Sequence, residues 1–102
     1  LQKDLIGSDP IKWGFPVRLH NSFYVKKIIR ELNKINIKAI PAFISFNKFK
    51  YLKIYYNKKN NKSDFKNSEL LQNSLVVLPL NLKLTKNDII FICKNIKKIL
   101  GK

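Results

Sequence analysis

Leu75, Val76, Val77 and Leu78 follow one another without a polar residue, and Pro79 closes the run. A strand with one wet face shows a polar residue at every second place. This one has no side to offer to water, so it reads as a buried strand in the middle of a sheet. The rest of the chain must then supply flanking strands and a covering layer.

Upstream, Trp13, Phe15, Val17 and Leu19 alternate with Gly14, Pro16 and Arg18, the period of a half-buried strand. Pro16 has no N–H to donate to a ladder, which places that strand at an edge or a bulge. His20, Asn21 and Ser22 form a loop whose short polar side chains supply a helix N-cap. Val25, Ile28, Ile29, Leu32 and Ile35 then repeat at helical spacing. Asn36 falls where that helix should stop, and Asn tolerates the left-handed conformation of a C-terminal cap. Residues 37–41 read as a second short strand, completing a strand-helix-strand unit.

Residues 42–56, rich in Phe, Tyr and Lys, read as a loop passing into a short helix. Residues 57–62 (NKKNNK) read as a polar loop. Ser63 and Asp64 are placed to cap another short helix ending near Gln72. Thr85 and Asp88 have the spacing of a capping box, with Asp in place of Glu or Gln. The helix that follows runs to Leu100, with Ile89, Ile92, Cys93, Ile96 and Leu100 as its buried stripe and Gly101 as its stop. The order predicts an α+β fold: a small mixed or antiparallel sheet of about three strands with helices packed on one face.

The net charge of +15 normally points to nucleic acid or an anionic membrane, because cations release the counterions of phosphate arrays. Here 19 of the 21 basic residues are Lys, leaving Arg18 and Arg30. Lys, Asn and Ile, all encoded by A/T-rich codons, dominate the chain, so base composition accounts for the charge without a polyanion. A surface built for phosphates and base edges uses more Arg, whose planar fork suits both. Residues 48–59 (KFKYLKIYYNKK) do interleave aromatic and basic side chains, a pattern that can stack bases at ~1–3 kcal/mol each. No apolar run approaches the ~20 residues of a membrane helix, and no segment resembles a signal peptide. The single cysteine, Cys93, allows no internal disulfide, so a reducing compartment is the default.

Self-contained chemistry is sparse. The glycines, Gly7, Gly14 and Gly101, form no phosphate loop, and one His, one Cys and six scattered carboxylates form no metal-ligand spacing. His20 has no acid or nucleophile beside it in sequence. The chain alone does not carry the constellation of an enzyme.

Two segments in register resemble the C-terminus of the DegT/DnrJ/EryC1/StrS family of sugar aminotransferases. In the first, FPVRL at residues 15–19 is similar to a family strand of the form F-P-[IV]-R, followed by a helix and then Asn36-Ile37 at the family's usual Gly-Ile. In the second, residues 74–100 (SLVVLPLNLKLTKNDIIFICKNIKKIL) resemble the family's closing pattern. That pattern is an apolar strand ending Leu-Pro, a link, Leu-Thr and an amphipathic helix. Residues 37–49 (IKAIPAFISFNKF) resemble a stretch often written I-x-[TA]-R-P-x-W followed by P-[LM]-H. Ile40 replaces its Arg, Phe43 its Trp and Asn47 its His, while Asn81-Leu82 replaces a frequent His-Pro pair.

The resemblance implies the small domain of a fold type I, pyridoxal-phosphate-dependent enzyme. Residues 1–12, which begin without Met, would be a lead-in from an upstream large domain, and residues 13–102 the small domain. The cofactor and its lysine would belong to the large domain. The implied parent is a cytoplasmic homodimer that moves an amino group from a donor such as glutamate to a nucleotide-linked keto sugar, in amino-sugar and surface polysaccharide biosynthesis. Phe43, Asn47 and Asn81 would lie nearest the sugar, shaping and hydrogen-bonding it. Two rivals stand beside this reading: a small basic nucleic-acid-binding module, and a non-catalytic relative, the latter motivated by Ile40 and Asn47.

Overall fold

The apolar run is the middle strand of a three-stranded sheet. The computed structural model describes residues 4, 6–9, 12–52 and 65–101. Its elements follow in the order β1 (Phe15–Arg18), α1 (Phe23–Lys34), β2 (Ile40–Pro41), two single turns of 3-10 helix (Phe46–Lys48 and Lys50–Leu52), α2 (Lys66–Ser74), β3 (Leu75–Leu78) and α3 (Lys86–Ile99). The strand order is β1-β3-β2, with β3 antiparallel to both neighbours. Phe15 pairs with Leu78 and Arg18 with Leu75. Ile40 and Pro41 pair with Val77 and Val76 on the other side. β1 and β2 therefore run parallel with β3 between them, a split strand-helix-strand unit. Both prolines within strands, Pro16 and Pro41, lie on the two edges, where a missing N–H breaks no inner ladder. This is the α+β arrangement expected from the residue pattern.

The two faces of β3 are covered differently. Val76 and Leu78 pack into a core with Val25, Ile28 and Leu32 of α1, Ile92 of α3, and Ile37 and Ala39. Ile28 (1% exposed), Leu32 (0%) and Val76 (1%) are its largest fully buried side chains. Burying each contributes roughly 1.5–3 kcal/mol. Val77 points the other way. A Cβ at Gly14 would lie 2.7 Å from Val77 Cγ1, so the chain entering β1 crosses closely over that face.

α1 begins and ends on short polar residues. Asn21, not Ser22, makes the side-chain cap, its Oδ1 accepting from the Phe23 N–H at 2.9 Å. At the other end Asn36 has φ 60°. The Ile37 N–H donates to the Leu32 carbonyl at 3.0 Å and the Asn36 N–H to that of Asn33 at 3.2 Å, a Schellman closure. Asn33 Nδ2 then donates both to Ile29 O (2.7 Å) and to Ala39 O (2.8 Å), fastening the helix end to the approach to β2. α3 opens with the capping box: Thr85 Oγ1 accepts from the Asp88 N–H at 3.2 Å, and the Asp88 carboxylate accepts from the Thr85 N–H at 2.8 Å.

Several expectations need correction. Trp13 is 64% exposed and outside the strand, because the chain turns across the sheet at Gly14 instead of continuing the alternation. The second strand is two residues long, since 37–39 are taken up by the helix closure and a tight turn in which the Ala39 N–H donates to Ile37 O. Ile35 is exposed because it is the C-cap, already off the helical period. On α3 the buried seam narrows to Ile92, with Ile96, Ile99 and Leu100 half-buried, while Ile89 and Cys93 are exposed. α3 packs chiefly on α1, and one main neighbour covers a narrower stripe than the sequence periodicity offers. The short helix extends to Ser74 and leads directly into β3. The loop expected at residues 57–62, the cap at Ser63-Asp64 and residues 53–56 lie outside the described residues.

The Gly14 contact makes a checkable statement. Gly14→Ala should destabilise the protein by on the order of 1 kcal/mol, since overpacking outweighs the gain from a stiffer unfolded chain. In a Val77→Ala background the same change should cost far less. Urea denaturation of the four proteins of this cycle measures the coupling.

Candidate functional site

Residues 42–52, which follow β2, join no ladder, and the first of their two 3-10 turns is held to α2 by side chains. Glu69 and Gln72 are three residues apart on α2, so they share a face. Gln72 Oε1 accepts the Ser45 N–H at 2.6 Å. The Ser45 hydroxyl donates to Asn47 Oδ1 at 2.6 Å, and Asn47 Nδ2 donates to Glu69 Oε1 at 2.6 Å. Lys48 Nζ adds an ion pair to the same Glu69 oxygen at 3.0 Å. Ser45 is one of two buried polar residues described, at 5% exposure, and its amide would lose its acceptor without Gln72.

On the helix side of this segment lies an open groove of about 950 Å³. Its walls come from α1 as far as Arg30, from Pro41, Ala42 and Ile44, and from the end of α2 at Gln72 and Asn73. Phe23, Val25, Ile29, Pro41 and Ile44 make it largely apolar, and Lys26, Lys27 and Arg30 contribute cations. Two of those cations have other partners: Lys27 Nζ lies 5.8 Å from the centroid of the Tyr24 ring, and Arg30 Nε donates to Glu31 at 2.9 Å.

The three residues singled out from the sequence are distributed as follows. Phe43 is 78% exposed and packs on Trp13, ring centroids 5.3 Å apart and planes tilted by 41°. Asn47 is at the centre of the polar cluster. Asn81 is in the exposed turn between β3 and α3, where its Oδ1 accepts the Lys83 N–H at 2.9 Å. The 43–47 segment thus brings two of them together, and Asn81 is held separately. Sequence reasoning missed Trp13, Glu69 and Gln72. The three-residue spacing of the last two was visible, but their partners 22 and 27 residues away were not. In the basic-aromatic stretch, Lys48 is paired with Glu69, and the Phe49 and Tyr51 rings meet at a 47° tilt with centroids 5.6 Å apart; residues 53–59 lie outside the described part.

Among the described residues no three of His, Cys, Asp and Glu gather as metal ligands, and no helix is long and apolar enough to cross a membrane.

The carboxyl of Glu69 is held below its ordinary pKa, first by the Asn47 hydrogen bond and then by Lys48. A lowered carboxyl pKa means the cluster is at full strength above the ordinary glutamate value and weakens as pH falls through the lowered one. An NMR titration of the Glu69 carboxyl should show a midpoint that rises more on Asn47→Ala than on Lys48→Met, because exposed ion pairs are screened. The reverse order would show that charge, not the carboxamide, holds Glu69.

Residues 6–97 match the family model described as DegT/DnrJ/EryC1/StrS aminotransferase family. No curated protein and no solved structure matches the chain.

Proposed function

The chain belongs to the DegT/DnrJ/EryC1/StrS aminotransferase family, and from that premise we propose that it is the C-terminal small domain of a pyridoxal-phosphate-dependent aminotransferase acting on a nucleotide-linked keto sugar. Residues 1–12 lead in from an upstream large domain, and residues 13–102 form the small domain. The amino donor is an amino acid such as glutamate, and the whole enzyme is a cytoplasmic homodimer serving amino-sugar and polysaccharide synthesis. The observation that carries this reading is the family match, which runs through β1-α1-β2 and on through β3-α3.

The residues described here do not themselves fit the cofactor. A lysine that condenses with an aldehyde at neutral pH is usually desolvated or set beside another cation. Every described lysine is exposed. A ready-made phosphate cradle is a helix start or glycine loop with free backbone N–H groups. The first N–H groups of α1 are already bonded to Asn21 and Ser22, and the space beside Gly14 is filled by Val77. Cofactor chemistry is therefore assigned to the large domain, and no step of it to this chain. The part assigned here is a pocket wall: Phe43 gives the sugar an apolar surface, and Asn47 and Asn81 offer hydrogen-bonding groups. Ile40 in place of a cation leaves that wall less charged, which favours a sugar without an acidic substituent there.

The test is the visible spectrum of the full-length protein purified with pyridoxal phosphate. A cofactor band that bleaches on adding glutamate is the expected result. A folded protein with no such band contradicts the reading and favours a non-catalytic relative.

A further inference from the structure

We infer that Gln72 and Glu69 of α2 are positioning residues that clamp the pocket-wall segment, residues 43–48, against the domain. This deepens the proposed function and rests on it for its consequence in catalysis, though not for its structural content.

Such a clamp is useful because the backbone bonds described for the segment are local, and none of them reaches the sheet. Pro41 ends the pairing with β3. The backbone bonds of the turns are local: Lys48 N–H to Ser45 O, Phe49 N–H to Phe46 O and Leu52 N–H to Phe49 O. Those bonds shape the turns but do not locate them. Besides the packing of Phe43 on Trp13, the segment is located by two side chains on one face of α2, one holding a backbone amide and the other a side-chain amide two residues further on. The Ser45 hydroxyl closes the chain of bonds by donating to Asn47, so both attachment points act on one rigid turn.

The two points differ in kind. Gln72 meets a buried backbone N–H, a group that is costly to leave unpaired. Glu69 meets the half-buried carboxamide of Asn47 and the exposed Lys48, and the ion pair with Lys48 contributes little under salt. Gln72 is therefore the stronger anchor. α2 continues without a break into β3, so the clamp ties the wall to the most deeply buried strand of the domain. Gln72 also lines the groove beside Ile44, so its loss would loosen that wall of the groove as well.

The experiment compares wild type, Gln72→Leu and Gln72→Glu in the full-length protein by amide hydrogen exchange and steady-state kinetics. Gln72→Leu keeps the size but leaves Ser45 N–H without an acceptor, so exchange at residues 45–49 should rise roughly tenfold. Exchange at Val76 and Val77 should stay unchanged, which shows that the fold is intact. Gln72→Glu keeps an acceptor oxygen and should restore near wild-type protection. With the wall loosened, kcat/KM for the keto sugar should fall severalfold while kcat/KM for glutamate holds. Unchanged exchange at residues 45–49 in Gln72→Leu, or no rescue by Gln72→Glu, overturns the clamp. Raised exchange with unaltered sugar kinetics overturns the positioning role. A wild-type protein without transaminase activity contradicts the proposed function instead, and the exchange comparison still decides the clamp.

Discussion

Val76 is enclosed between α1 and two flanking strands, and Val77, on the reverse face, lies under the chain at Gly14. A strand apolar on both sides has to be covered on both, and paired at both edges, before its backbone and side chains leave water. β1 and β2 supply the edges, and their parallel direction follows from each lying antiparallel to the same strand. The helix joining them is thereby drawn across one face, where its Val25, Ile28 and Leu32 meet Val76 and Leu78. α3 adds Ile92 to that core, and the Schellman closure at Asn36 turns the chain back toward the sheet at the place where β2 must begin.

The candidate site is a by-product of how briefly β2 pairs. Two residues of ladder end at Pro41, and the chain is released into a segment that carries Phe43 and Asn47 to the edge of the domain. Polar side chains take over there from backbone pairing. Gln72 and Glu69 hold the segment from a helix that feeds β3, so the least regular part of the described chain is referenced to its most buried part. An exposed aromatic pair, Trp13 and Phe43, lies just upstream of that anchored turn, an arrangement suited to presenting an apolar wall without burying it in the domain's own core.

Much of this was legible from residue order. The unbroken apolar run announced the central strand, Pro16 announced an edge, the spacing from Val25 to Leu32 announced α1, and Asn36 and the Thr85–Asp88 pair announced helix ends. What was not legible depended on partners distant in sequence. Trp13 fits the alternation of β1 perfectly well, and only the crossing at Gly14 takes it out of the strand. Ile89 and Cys93 fit the period of α3, but burial needs a neighbour on that side as well as a period. For the site, the resemblance pointed to Phe43 and Asn47. Their connection to α2 depended on a turn geometry that periodicity does not encode.

The central claim is that the segment from Phe43 to Asn47 forms one wall of a sugar site completed by a larger domain. A crystal structure of the full-length protein with a nucleotide-linked keto sugar bound tests it most directly. The account predicts Phe43 in van der Waals contact with the sugar, at heavy-atom distances of about 4 Å, with the Gln72 and Glu69 bonds in place. A sugar bound elsewhere, with solvent or another segment between it and Phe43, would contradict it.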